Sequence, residues 1–221
     1  TPILDKHMKQ AIIPRIERQG RPLEALTTTL REQGQAIYID TLNWPQDFPH
    51  RPLVAAYLGY DDEALYACYV VAGEDLRTLS PGDGHYVHED SCVELFMQRE
   101  RGEAYTNFEF NAAGVCYAAH HTSPSESTLL TEGEFAAIER WGSHLGQRGI
   151  ETTGAHAWTL TVSLPWWTMG YTAGRPDHFF ANLYKCGDKT VHPHFLSWAP
   201  IVEVKPAFHR PQFFGEFILQ P

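Results

Sequence analysis

Ala157-Trp158-Thr159-Leu160-Thr161-Val162-Ser163-Leu164 alternates residue by residue, with Trp158, Leu160, Val162 and Leu164 on one side and Thr159, Thr161 and Ser163 on the other. Successive side chains of a strand point to opposite faces, so this stretch is a half-buried strand; Pro165, which has no N–H to give a ladder, ends it. Short turn-bounded runs of the same kind extend in both directions. Downstream, Pro165–Gly170 reads as a short helical turn, and His178–Lys185, His194–Trp198 and Phe213–Leu219 read as strands. Upstream lie Ala36–Asp40, then Leu53–Tyr60 and Ala64–Val71, the last two joined across Asp61-Asp62-Glu63 as a hairpin. Ser91–Gln98, Tyr105–Ala112 and Val115–Ala119 follow, the last two connected through Ala113-Gly114. His120–Thr153, rich in Ser, Thr, Gly and Glu, predicts a long loop with a helical turn or two within Glu134–Trp141. Near the N-terminus, Arg21–Gly34 predicts an amphipathic helix: Pro22 suits the first turn, Leu23, Leu26 and Leu30 share a face, and Gly34 stops it. Roughly ten strands and one short helix predict an all-β fold, an antiparallel, jelly-roll-like β-sandwich. With no repeat or linker to divide it, the chain is expected to be a single domain, residues 1–35 forming an N-terminal extension and helix packed on it.

Composition agrees and narrows the function. Six Trp, ten Tyr and twelve Phe, together with 17 Gly and 15 Pro, suit strands joined by turns and argue against a helical bundle. A net charge of −10 without a basic patch repels a phosphate backbone, so nucleic acid is not an expected partner. The longest apolar runs, such as Ala64–Ala72, fall far short of the ~20 residues a membrane-spanning helix needs, and Thr1–Arg18 has no apolar core of signal type. Cys68, Cys92, Cys116 and Cys186 lie far apart with no C-x-x-C pair, and are expected as buried free thiols rather than as a zinc knuckle or a disulfide framework. The absence of G-x-S-x-G, P-loop and G-x-G-x-x-G motifs leaves hydrolase elbows and nucleotide cradles without support.

Chemistry can sit on two polar strand faces. In Asp90–Gln98, Val93, Leu95 and Met97 share one face while Asp90, Glu94 and Gln98 point the other way; in Asn107–Asn111, Phe108 and Phe110 oppose Asn107, Glu109 and Asn111. If the two strands are neighbours, their polar faces form one patch of carboxylates and amides able to meet sugar hydroxyls, or else an ordinary solvated sheet surface. Aromatic rings that could stack on a sugar include Trp44, Tyr86, Trp166, Trp167, Tyr184, Trp198 and Phe208. Phe208-His209-Arg210-Pro211 puts a ring, an imidazole and a guanidinium in one Pro-bounded turn, either a structural corner or a binding loop. The alternative reading of Glu94 and Glu109 is a glycosidase acid/base pair, which needs two carboxyls about 5–10 Å apart. Calcium is the cation the composition favours, with Asp61, Asp62 and Glu63, or Asp83 and Asp90, as donors.

The ordered set Asn43-Trp44-Pro45, Asp90-Ser91-Cys92-Val93-Glu94-Leu95-Phe96, Asn107-Phe108-Glu109-Phe110-Asn111, Asn182-Leu183-Tyr184-Lys185-Cys186, Ser197-Trp198-Ala199-Pro200 and Phe208-His209-Arg210-Pro211 through Phe214-Gly215 resembles the bacterial carbohydrate-binding family 9-like proteins. More distantly it is similar to the family 9 modules attached to xylanases. The resemblance implies a β-sandwich that holds the end of a sugar chain between two aromatic rings, a structural calcium ion, and a secreted or periplasmic setting. It places the family's acidic sugar ligand on Glu94, its asparagine on Asn111 and the second ring of its clamp on Phe208. The first ring's position holds His88, with Tyr86 as the nearest substitute, and the family's arginine position holds Glu109. The implied function is non-catalytic recognition of a mono- or oligosaccharide, with Tyr86, His88, Glu94, Glu109, Asn111, Tyr184, Phe208 and Arg210 as the candidate site.

Overall fold

β6 (Cys92–Gln98) is buried on both faces from end to end, and much of the architecture consists of the two coverings this requires. In the computed structural model, which describes residues 8–221, β6 lies at the centre of the larger of two sheets. Its neighbours in that sheet are β7 (Tyr105–Asn111) on one side and β12 (His178–Cys186) on the other. Beyond β7 come β8 (Cys116–Ser123) and β9 (Glu126–Leu129); beyond β12 come β14 (Gly215–Leu219) and β1 (Gln10–Ile13). β13 (Phe195–Ser197) also pairs with β12, and β3 (Thr41–Leu42) with β13. The second sheet runs β10 (Glu139–Gly142), β11 (Glu151–Pro165), β5 (Ala64–Arg77), β4 (Leu53–Tyr60), β2 (Gln35–Tyr38). All these pairs are antiparallel except β1 with β14.

The inner faces form the core predicted from alternation. Val93, Leu95 and Met97 of β6 and Phe108 and Phe110 of β7 belong to the same cluster as Trp158, Leu160, Val162 and Leu164 of β11. Embedded at one end of this apolar layer is an ion pair: Lys185 Nζ of β12 donates to Glu74 Oε2 of β5 at 2.8 Å, and Trp158 Nε1 of β11 donates to Glu74 Oε1 at 2.6 Å. His194 Nε2 lies 2.7 Å from the same ammonium, and all three charged or titratable side chains are fully buried.

The outer faces are where the sequence reading needs correction. The helix α1 (Leu23–Gln33) forms where the sequence predicts it, and Leu23, Leu26 and Leu30 pack on Ala64, Tyr66 and Cys68 of β5. Thr27 and Thr161 share a 2.6 Å hydrogen bond. The "polar" side of β11 is therefore covered as well, and Thr161 and Ser163 are buried rather than solvated. The extended backbone of Gly34 ends the helix, and only glycine fits there because a Cβ would sit 2.5 Å from the Leu30 carbonyl oxygen. On the larger sheet, Trp44, Ile201, Phe208 and Phe214 close over Phe96, Tyr105 and Tyr184.

The predicted loop His120–Thr153 contains β9, α2 (Glu132–Ala137), β10 and the beginning of β11. β9 is an edge strand whose four side chains are all exposed, so it lacks the apolar alternation that betrays a strand. α2 buries nothing and is held by a capping box, Thr131 accepting from the Glu134 N–H while Glu134 accepts from that of Thr131. β1 is likewise part of the sheet rather than packed on it, and the first seven residues of the expected N-terminal extension lie outside the described residues. All four cysteines are buried free thiols, as expected.

Glu74→Ala should lower the unfolding free energy by about 3–5 kcal/mol, because it strands the Lys185 ammonium in the core. Urea denaturation checks this, and the double variant Glu74→Leu/Lys185→Met should recover most of the loss; equal losses in both would show that the charge pair is not what matters.

Candidate functional site

Strand register assembles the site. Tyr184 of β12 faces Glu94 of β6, Glu94 faces Glu109 of β7, and Glu109 faces Tyr117 of β8, so four side chains form a row on the outer face of the larger sheet. Above the two carboxyls is a cavity of about 340 Å³. Glu94, Glu109, Phe96 and Cys186 of the sheet line it, with Phe208, His209 and Arg210 from the segment before β14 and His88, Asp188 and Phe195 closing the sides.

The two carboxyls are buried, not exposed as the solvated-surface alternative required. Glu94 Oε1 lies 3.2 Å from Cys186 Sγ and 3.7 Å from Cys92 Sγ, and its Oε2 has no hydrogen-bond partner. Glu109 Oε1 accepts from Asn107 Nδ2 at 2.8 Å, and its Oε2 is also without a partner. Burial pushes Glu94 up to about 8, and burial reinforced by the Glu94 charge pushes Glu109 well above the carboxylate range. The paired groups therefore resist ionising together at neutral pH and can both donate and accept hydrogen bonds.

The walls are braced from behind. The Tyr184 ring stacks on Phe208 with centroids 4.1 Å apart and planes 7° from parallel, and its hydroxyl donates to the Phe208 carbonyl at 3.0 Å. Tyr184 thus supports Phe208 from below and is not itself a lining residue. Arg210 Nε donates to Glu203 Oε1 at 2.7 Å, which orients the guanidinium beside the cavity. His209 shares a 2.8 Å hydrogen bond with the Tyr105 hydroxyl, and burial lowers its imidazole to about 4, leaving it neutral. His88 Nδ1 bonds Asp188 Oδ2 at 2.9 Å, and this partner raises the imidazole above its ordinary value. Tyr86 stands at the rim, 65% exposed, its ring 5.3 Å from His88 and 5.2 Å from Tyr117.

Seven of the eight sequence candidates are thereby gathered in or around one cavity. Asn111 is not. Its Oδ1 accepts from the N–H groups of Ala113 and Val115, and its Nδ2 donates to Asp90 Oδ2, so the side chain is used up in the β7–β8 turn. Cys186, Asp188 and Phe195 escaped the sequence reading because loops and a strand pairing distant in sequence bring them in, whereas Phe96 carried a signal, two residues beyond Glu94 on the same face of β6. His209 carried a signal, since it sits in the same Pro-bounded turn as Phe208 and Arg210. Four of the five carboxylates considered for calcium are engaged by protein groups. Asp61 accepts from three backbone N–H groups and the Tyr66 hydroxyl, Asp62 pairs with Arg15 and Arg175, Asp83 with Arg140, and Asp90 with Arg77. Calcium at either cluster would have to displace these partners.

The molecule is thus a two-sheet β-sandwich carrying a cavity walled by aromatic rings and floored by carboxyl groups. The chain belongs to carbohydrate-binding family 9, whose profile matches residues 25–219. It is similar over 97% of its length to a candidate carbohydrate-binding protein from Bacteroides uniformis, with 29% identity, complete coverage of that chain and a TM-score of 0.91. Its fold is also similar to that of a family 9 carbohydrate-binding module from Caldicellulosiruptor kristjanssonii, seen in complex with cellotriose and with glucose. Those two structures share 9% and 10% identity with this chain, cover 96% of it and 94% and 96% of their own chains, and give TM-scores of 0.57. No curated protein matches the sequence. No helix among the described residues is long and apolar enough to cross a membrane.

Asn111→Ala should cost about 2–4 kcal/mol of stability by unpairing buried backbone donors, while leaving the ligand affinity of the folded protein unchanged. Urea denaturation and calorimetric titration on the same preparation separate these effects; a lost affinity with unchanged stability would return Asn111 to the site.

Proposed function

We propose that the protein is a non-catalytic carbohydrate receptor that takes the end of a mono- or oligosaccharide into this cavity. The observation that carries the reading is the juxtaposition of a braced aromatic wall, Phe208, with two buried carboxyl oxygens, Glu94 Oε2 and Glu109 Oε2, that have no partner within the protein. An unpaired buried acceptor is costly, and a sugar hydroxyl is the right size and polarity to pair with it, while the C–H face of the same ring lies against an aromatic side chain. A volume of about 340 Å³ is at the small end of ligand pockets, which fits one sugar ring inside with any further ring at the mouth near Tyr86 and His88. The sugar complexes of the C. kristjanssonii module support the ligand class. Arg210 and the His88–Asp188 pair supply donors at the sides. The excess of acidic over basic groups around the floor favours neutral sugars over uronates.

Thermal-shift screening of neutral mono- and oligosaccharides against their uronate counterparts should show stabilisation by the neutral series alone. Phe208→Ala and Glu109→Ala should each then weaken calorimetric affinity at least tenfold, about 1.4 kcal/mol. Unchanged affinity in the double variant would remove the ligand from this cavity. Glycoside turnover that disappears in Glu94→Gln would replace recognition by catalysis.

A further inference from the structure

Beside the carboxyl floor lie two sulfurs that sugar recognition does not use. Cys92 and Cys186 are directly opposed across β6 and β12, and Glu94 follows Cys92 by two residues, so both sulfurs and the carboxyl emerge on the same face. One ligand atom from each of the three residues lies within 4.8 Å of the others. We propose that Cys92 Sγ, Cys186 Sγ and Glu94 form a binding site for a thiophilic divalent cation of the zinc type, with the remaining coordination position facing the cavity.

The distances suit such an ion. Zinc bonds of about 2.3 Å to sulfur and about 2.0–2.2 Å to oxygen put the sulfur and oxygen ligands of a tetrahedral ion about 3.5 Å apart, and two sulfur ligands about 3.8 Å apart. Glu94 Oε1 is 3.2 Å from one sulfur and 3.7 Å from the other. The independent sign of a missing partner is Glu94 itself: the side chain is buried, Oε2 meets no hydrogen-bond donor, and no Arg or Lys among the described residues forms an ion pair with it. A cation held by two thiolates and this carboxylate supplies the partner that Glu94 lacks. Two soft sulfur donors select against calcium, which takes an all-oxygen shell. Access is through the cavity, which Cys186 and Glu94 both line. Burial raises both thiols, so metal binding must release their protons and should weaken as the pH falls. The site requires only these three side chains; it shares Glu94 with the sugar-binding reading, whereas its two sulfurs take no part in that reading.

The test uses the full chain, reduced, stripped with chelator and titrated with Co²⁺ and then Zn²⁺. The expected result is one Co²⁺ per chain, with tetrahedral visible bands and a thiolate-to-cobalt charge-transfer band in the near ultraviolet. Zinc should displace the cobalt, and zinc should raise the midpoint of thermal unfolding. Cys186→Ser should abolish the charge-transfer band or reduce it sharply. Glu94→Gln, which leaves both thiols in place, should weaken affinity at least tenfold while retaining the band. Failure of the reduced wild-type chain to hold either metal, with its thiols verified as free by titration, overturns the proposal. So does binding that is equal in Cys186→Ser, or a calcium affinity exceeding that for zinc. Sugar affinity measured through Phe208→Ala and Glu109→Ala does not enter these outcomes, so either proposal can fail alone.

Discussion

A central strand buried on both faces constrains everything else in this molecule. The inner face of β6 meets the opposite sheet, as in any sandwich, but its outer face holds Cys92, Glu94, Phe96 and Gln98, none of which reaches bulk solvent. Chain that belongs to neither sheet must therefore cover it. Trp44 and the segment from Ile201 to Phe214 do so, docking on Phe96, Tyr105 and Tyr184. The cavity is the gap left in that cover, and its floor is the part of the sheet that carries the two carboxyls.

Two buried carboxyl systems lie on either side of the same sheet and show opposite solutions to one electrostatic problem. β12 sends Lys185 inward, where it neutralises Glu74 with help from Trp158 and His194. The residues on either side, Tyr184 and Cys186, point outward toward Glu94. Glu74 is held low by its cation despite burial, whereas Glu94 and Glu109, without one, are pushed up. A buried charge that the protein pairs internally needs nothing from outside, although breaking the pair is costly. One left unsatisfied at the bottom of a cavity is a demand for a ligand, and that contrast is the physical basis for reading the inner pair as structure and the outer pair as function.

The cavity's own contacts fix how its side chains are presented. Glu109 faces Glu94 directly, so the floor is a carboxyl pair. His88 is oriented by Asp188 and flanked by Tyr86. Phe208 stands as a wall because Tyr184 stacks beneath it.

By itself the sequence determined the local periodicities. Alternation in Ala157–Leu164, Leu53–Tyr60 and Ser91–Gln98 reports which side chains share a face, because a strand has a period of two whatever surrounds it. The Leu23, Leu26 and Leu30 spacing in α1 reports a helix face for the same reason, and the placing of Glu94 with Glu109 followed from two such patterns. Periodicity is silent wherever no apolar face is buried, so the exposed edge strand β9 reads as loop and the capped, unburied α2 shows only as a helical turn or two placed slightly late, within Glu134–Trp141. It also cannot say what covers a polar face. Whether Thr161 meets water or α1, and whether Glu94 is solvated or sealed beside two sulfurs, depends on segments more than 90 residues away in the chain. Tertiary structure alone decided that, because burial and the pairing of charges are properties of the assembled layers.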